Sequence, residues 1–284
     1  MTLPLARLAL LLAGTAAVGA APRPAKTPAV RWAPADSIYA LAVDSTRYRD
    51  YPFVYLLDDG VVRIEANGRY TKTYRQVVQI LKPAGVEPWA EKRFTFAPDR
   101  ERVKLNWMRV VSLTGEVLSD KPSVVQESDV PAGMENPVYT QTKVLRYSLG
   151  NVAPGTLVDA SWTIEQTRPP LPGDFLDDFD VTRLKPALRS RYVLDVPASV
   201  TPRIIERHLD FKRVEQEQGG RHVYTWATQN LKPVKGEMFA PDSSVPVRRR
   251  LGPECPEPPA HLWLVGLTGL ASARRLAVCT FPRA

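Results

Sequence analysis

With 284 residues, 44% of them apolar and 24% charged, the chain has material for one large domain or two small ones and lacks the composition of a disordered protein. Its 27 prolines, about twice the usual share, suit many short connections between strands and argue against a helical protein. Much of the +8 formal charge sits in Arg7 and in 248–284, where six arginines face two glutamates; the +3 left for 21–247 is a solvated excess, which excludes a nucleic-acid footprint.

The first twenty residues read as a secretory signal. Arg7 supplies the positive end, Leu8 to Val18 the apolar stretch, and Val18-Gly19-Ala20 the small-residue cleavage pattern. No cysteine lies near that site to accept a lipid, and no other segment is long enough to span a bilayer. The expected product is a soluble chain in the periplasm or secreted. Residues 21–50 form a leader or linker: Ala21 to Pro34 is rich in Pro, Ala, Lys and Arg, and Asp36-Ser37 before Ile38–Val43 marks a short capped helix.

From 51 the pattern is β. Phe53–Leu57 and Val61–Ala66 flank Asp58-Asp59-Gly60, where Gly60 either closes a hairpin or sits as a bulge in one long strand. Asn67-Gly68 supplies the positive φ angles of a tight turn into Arg69–Leu81, an edge-like strand open to strand addition. Further strands are predicted at 92–97 and 102–113, the latter with Val103, Leu105, Trp107 and Arg109 sharing one face. Residues 122–137 read as irregular. More strands follow at 144–149, at 156–165 after the Pro154-Gly155 turn, and at 189–196, 202–207, 211–215 and 221–227. About a dozen short strands at close spacing describe an antiparallel sandwich.

The motifs Val54–Leu81, Phe94-Thr-Phe-Ala-Pro98, Val110–Leu118, Asn151–Val158, Arg191–Pro197, Val223–Trp226 and Pro241–Pro246 occur in an order that resembles a bacterial family of unknown function. In exported proteins that family lies N-terminal to transglutaminase-like cores. The resemblance implies a large immunoglobulin-like β-sandwich over 51–247, or two packed sandwich halves. It also implies a following core with Cys, His and Asp in that order. Here 248–284 departs: after Cys279 there is no His or Asp, and Cys255 has only His261 downstream. The tail is therefore expected to be divergent or frameshifted and not to fold with the body; whether Cys255 and Cys279 pair is open.

No residue is assigned a catalytic, cofactor or metal role. His208, His222 and His261 are scattered. The run Asp174–Asp180 lacks the Gly and terminal Glu of a calcium loop and is read as a solvated loop over Phe175 and Phe179. Trp89, Trp107, Trp162 and Trp226 are read as core positions before a sugar platform. The expectation is an exported, non-catalytic interaction or accessory module, with a protein or a peptidoglycan or other polysaccharide as partner. The alternatives are a fragment of a transglutaminase-like cysteine peptidase or transferase, and a carbohydrate-binding sandwich.

Overall fold

Period-two alternation builds nearly all of the regular structure. The computed structural model describes residues 35–130, 142–169, 175–180, 185–207, 209–233 and 275–280; the expected signal at 1–20 and the expected leader as far as Pro34 lie outside them. A short helix α1 (Ala35–Tyr39) precedes β1 (Phe53–Ile64) and β2 (Tyr70–Ile80). The helical turn α2 (Glu87–Ala90) leads into β3 (Glu91–Phe96), β4 (Glu101–Ser112), β5 (Val117–Ser119) and β6 (Val124–Asp129). Then come β7 (Lys143–Ser148), β8 (Thr156–Gln166), β9 (Phe175–Asp180) and β10 (Ala187–Pro197). The last are β11 (Arg203–Arg207), β12 (Val214–Gln218), β13 (Arg221–Leu231) and β14 (Arg275–Thr280).

Among the described residues eight strands form one sheet in the order β12-β13-β10-β1-β2-β8-β4-β5, and six more form two three-stranded sheets, β11-β14-β9 and β3-β7-β6. One face of the large sheet, the inner face, packs against both small sheets. Phe94 of β3 and Tyr147 of β7 share a core with Trp162, while Phe175 and Phe179 of β9 join Tyr70, Tyr192 and Trp226. Trp89 of α2 meets Phe53 and Tyr55 edge-on at 5.6 and 5.7 Å. The all-β sandwich expected from the strand spacing is the architecture observed. One pair departs from the antiparallel rule: β1 runs parallel to β10.

Several local expectations are corrected. The Asp58-Asp59-Gly60 run is neither hairpin nor bulge; β1 is continuous, and its irregularity lies between Tyr55 and Leu57. Gly60 is required by closeness, since a Cβ there would stand 2.8 Å from the Tyr74 ring and 3.3 Å from that of Phe179. In the Asn67-Gly68 turn only Gly68 takes a positive φ, 83°, while the Asn67 side chain accepts from the Arg69 amide. The strand over 69–81 is not an edge: β2 pairs with β1 on one side and β8 on the other. Residues 124–129, expected to be irregular, pair with β7.

The acidic run is a strand rather than a solvated loop. Phe175, Asp177 and Phe179, two residues apart, all turn inward, and Asp177 is matched there by Lys72 at 2.7 Å and the Tyr192 hydroxyl at 2.6 Å. Part of the tail also joins the body. Arg275–Thr280 forms β14 between β9 and β11, where the apolar run Leu276–Cys279 completes hydrogen bonding for two strands that would otherwise face each other across a gap. The remainder of 234–284 lies outside the described residues, Cys255 and His261 included.

Gly60→Ala tests the closeness of Tyr74, which is stacked on Trp162. Overpacking at such a site costs about 1–3 kcal/mol, so chemical denaturation should show a loss in that range; an unchanged midpoint would mean that the ring yields freely.

Candidate functional site

The outer face of the large sheet carries buried charge. Strand alternation puts Thr73, Arg75, Val77 and Gln79 of β2 on this face, beside Leu157, Asp159, Ser161 and Thr163 of β8. On β4 the register shifts between Leu105 and Trp107. That one-residue slip sends Trp107, Arg109 and Val111 outward and Met108 and Val110 into the core, so the single apolar face expected over 103–109 is split between the two sides.

Asp159, fully buried, is the centre of the face. It accepts from Arg75 Nε and Nη2 at 3.1 and 2.9 Å, from Arg109 Nε and Nη2 at 3.3 and 2.8 Å, from Trp107 Nε1 at 3.0 Å and from the Tyr39 hydroxyl at 2.7 Å. Arg75 is 2% exposed and stands opposite Asp59 in the ladder, and Asp59 takes a bidentate bond from Arg191 at 2.8 and 2.7 Å. The result is a row of alternating sign, Arg191, Asp59, Arg75, Asp159, Arg109, crossing β10, β1, β2, β8 and β4.

The two carboxylates respond oppositely. Burial is the largest influence on Asp159 and disfavours its charge, yet the bonds and charge of Arg75, with those of Trp107 and Arg109, outweigh it and hold the carboxyl below its ordinary range. At Asp59 burial wins over Arg191, the neighbouring Asp58 adds to it, and the carboxyl is pushed up. Burial and Asp159 push the Tyr39 hydroxyl far up, so it stays a donor. An acid held ionised by six donors has no free lone pair and no proton to give. Asp159 is suited to holding cations in place, not to acid–base chemistry.

Above this row, residues 35–45 cross the sheet. Ile38 is fully buried among Leu56, Leu57, Val77, Val111 and Leu157. Gln79, itself 2% exposed, grips the backbone of residue 43 twice: the Val43 amide donates to Oε1 at 2.6 Å, and Nε2 donates to the Val43 carbonyl at 2.9 Å. Beside it lies a space of about 460 Å³ lined by Val43, Asp44, Ser45, Gln79, Leu81, Leu113 and the Pro154-Gly155 turn. Residues 35–50 are thus part of the folded body, where a linker was expected.

Of the other candidates, Trp89, Trp162 and Trp226 are core residues, and Trp107 is half-buried with its N–H committed to Asp159. His222 lies beside Tyr224 on β13, Cys279 falls on β14, and His208 lies outside the described residues. Among the described residues no group of three His, Cys, Asp or Glu could hold a metal, and no helix is long and apolar enough to cross a membrane. The Asp159 cluster itself was missed in the sequence. Its only trace there is the recurrence of Arg or Asp at outward positions of three neighbouring strands.

A family model describing a domain of unknown function with solved structure, DUF3857, matches residues 66–235, which span β2 to β13 and so include Arg75, Arg109, Asp159 and Arg191. The chain belongs to the DUF3857 family. No curated protein matches it. Among solved structures it is similar to a "putative protease" from Parabacteroides distasonis, at 14% identity and a TM-score of 0.65, over 81% of this chain and 41% of that one. That likeness shows the fold, and the DUF3857 chain spans well under half of that protein. M1 zinc metallopeptidase from Deinococcus radiodurans aligns with a TM-score of only 0.34 at 12% identity, over 62% of this chain and 39% of that one.

Since the Asp159 pKa is depressed, its contribution to stability is present above the unfolded carboxylate value and is lost as pH falls through the folded one. Asp59, raised, contributes with the opposite sign. Asp159→Asn leaves Arg75 buried without its counter-charge and should cost about 3–5 kcal/mol at neutral pH. Denaturation across pH should show that gap narrowing below about pH 4; a constant gap would mean that the charge of Asp159 is not what holds Arg75.

Proposed function

We propose that this DUF3857 domain is an exported, non-catalytic interaction module that works beside a transglutaminase-like or peptidase core. The observation that carries the reading is the apolar surface at two sheet edges. β5 ends the large sheet and β6 ends a small one, and only residues 120–123 separate them in the chain. Leu113, Val117, Leu118, Val124 and Val125 on this stretch are 37–58% exposed. Open strand edges with exposed aliphatic side chains are costly to leave bare and favour docking of another protein.

Two further features support it. The polar groups gathered on the outer face are spent on one another, as at Asp159, which is how a scaffold uses charge. The fold also recurs within a Parabacteroides protein whose length the chain only partly spans, consistent with an accessory domain of a larger enzyme or assembly. Sugar stacking is disfavoured by the burial of Trp89, Trp162 and Trp226.

The purified chain should release no peptide from casein and incorporate no amine into it; turnover that follows the chain through successive columns would refute the non-catalytic reading. Val117→Lys with Val125→Lys should reduce capture of a partner from envelope extract to background while changing stability by no more than about 0.5 kcal/mol per site. Equal capture by both forms would remove the edge from consideration.

A further inference from the structure

Residues 38–43 bind the outer face in the manner of a peptide ligand. Among the described residues no backbone–backbone hydrogen bond joins 35–44 to any strand; the backbone bonds there stay local, from Leu41 N–H to the Ile38 carbonyl and from Ala42 N–H to that of Tyr39. The grip comes instead from three side-chain devices of the sheet. An apolar socket made by four strands takes Ile38, the Asp159 carboxylate takes the Tyr39 hydroxyl, and the Gln79 amide reads both polar groups of residue 43. A buried amide that pairs with a backbone N–H and C=O is indifferent to side chain. A socket and a fixed hydroxyl acceptor then supply the sequence preference.

The segment also leaves space beside Gln79. An open pocket there is lined by Val43, Asp44 and Ser45 together with Leu81, Leu113 and the Pro154-Gly155 turn. After Asp44 the chain enters a 3-10 turn over Ser45–Tyr48, which Asp44 caps through the Thr46 amide.

We propose that this outer-face groove is a peptide-recognition site closed in cis by residues 38–43, and that its ligand in trans is a segment that presents an aliphatic side chain and the tyrosine after it from a helical turn. This site is distinct from the β5–β6 edge and does not depend on it. A self-ligand makes the site switchable: whatever draws residues 38–43 away opens the socket and frees Gln79 and one acceptor position of Asp159 together.

The test uses the full chain and a fluorescein-labelled peptide with the sequence of residues 35–44. Ile38→Asp, which expels the internal segment from its socket, should bind the peptide in fluorescence anisotropy about tenfold or more tightly than the native chain, whose own segment competes. Adding Gln79→Ala to Ile38→Asp should weaken that binding about tenfold, as two buried hydrogen bonds are lost. A peptide with aspartate in the isoleucine position should not bind. A folded Ile38→Asp chain that ignores the parent peptide would overturn the proposal.

Should Ile38→Asp not fold, hydrogen exchange of the native chain decides. Excess free peptide should accelerate exchange at residues 38–43, and unchanged exchange would overturn the proposal. A concentration-dependent dimer of the native chain that free peptide dissolves would reassign the groove to a second copy and likewise overturn the claim of a separate partner.

Discussion

A single carboxylate holds the middle of this protein together. Asp159 draws two arginines, a tryptophan and a tyrosine from β2, β4 and α1 onto β8, and Arg75, almost as buried, bonds it through two nitrogens. Two charges removed from water in this way gain stability only if the geometry is nearly saturated. Six donors on one acid satisfy that condition. The cost of disturbing any one of them explains why the surrounding strands must keep their register: slippage by one residue on β2 or β8 would turn Arg75 or Asp159 into the apolar core.

That register is in turn set by irregularities. The shift between Tyr55 and Leu57 in β1 and that between Leu105 and Trp107 in β4 each exchange the two faces of a strand partway along it. On β4 the exchange brings Trp107 and Arg109 to Asp159 while Met108 and Val110 join the core. The charged cluster and the aromatic interior are two consequences of the same pair of slips. The inner face has its own, smaller polar contacts, with Lys92 lying 4.1 Å over the Trp162 ring and bonded to Gln76, and Lys72 bonded to Asp177. These tie the small sheets to the large one at defined points, where apolar contact alone would allow them to slide.

The division of labour over the surface follows. Charge on the outer face is consumed internally, and the same face is overlaid by residues 38–43. The sheet ends at β5 and β6 carry exposed aliphatic side chains. The proposed docking role rests on these sheet edges, and the proposed peptide site on the sockets of the outer face.

Much of the architecture was legible in the chain. Alternation with turn signals announced an all-β sandwich, the positions of most strands and the Pro154-Gly155 turn, because each depends on residues a few positions apart; the helix expected over Ile38–Val43 behind an Asp36-Ser37 cap lies instead at Ala35–Tyr39. What needed the tertiary structure was whatever depends on partners far along the chain. Arg75 and Asp159 are 84 residues apart, and no local pattern reveals that one will neutralise the other. The bulge in β4 leaves alternation apparently intact, so Trp107 and Met108 could not be assigned their faces from spacing. The strand status of Phe175–Asp180 and of Arg275–Thr280 depends on each having the other as neighbour. Local propensity is written in short range; faces, edges and charge pairs are decided by which strands come to lie side by side.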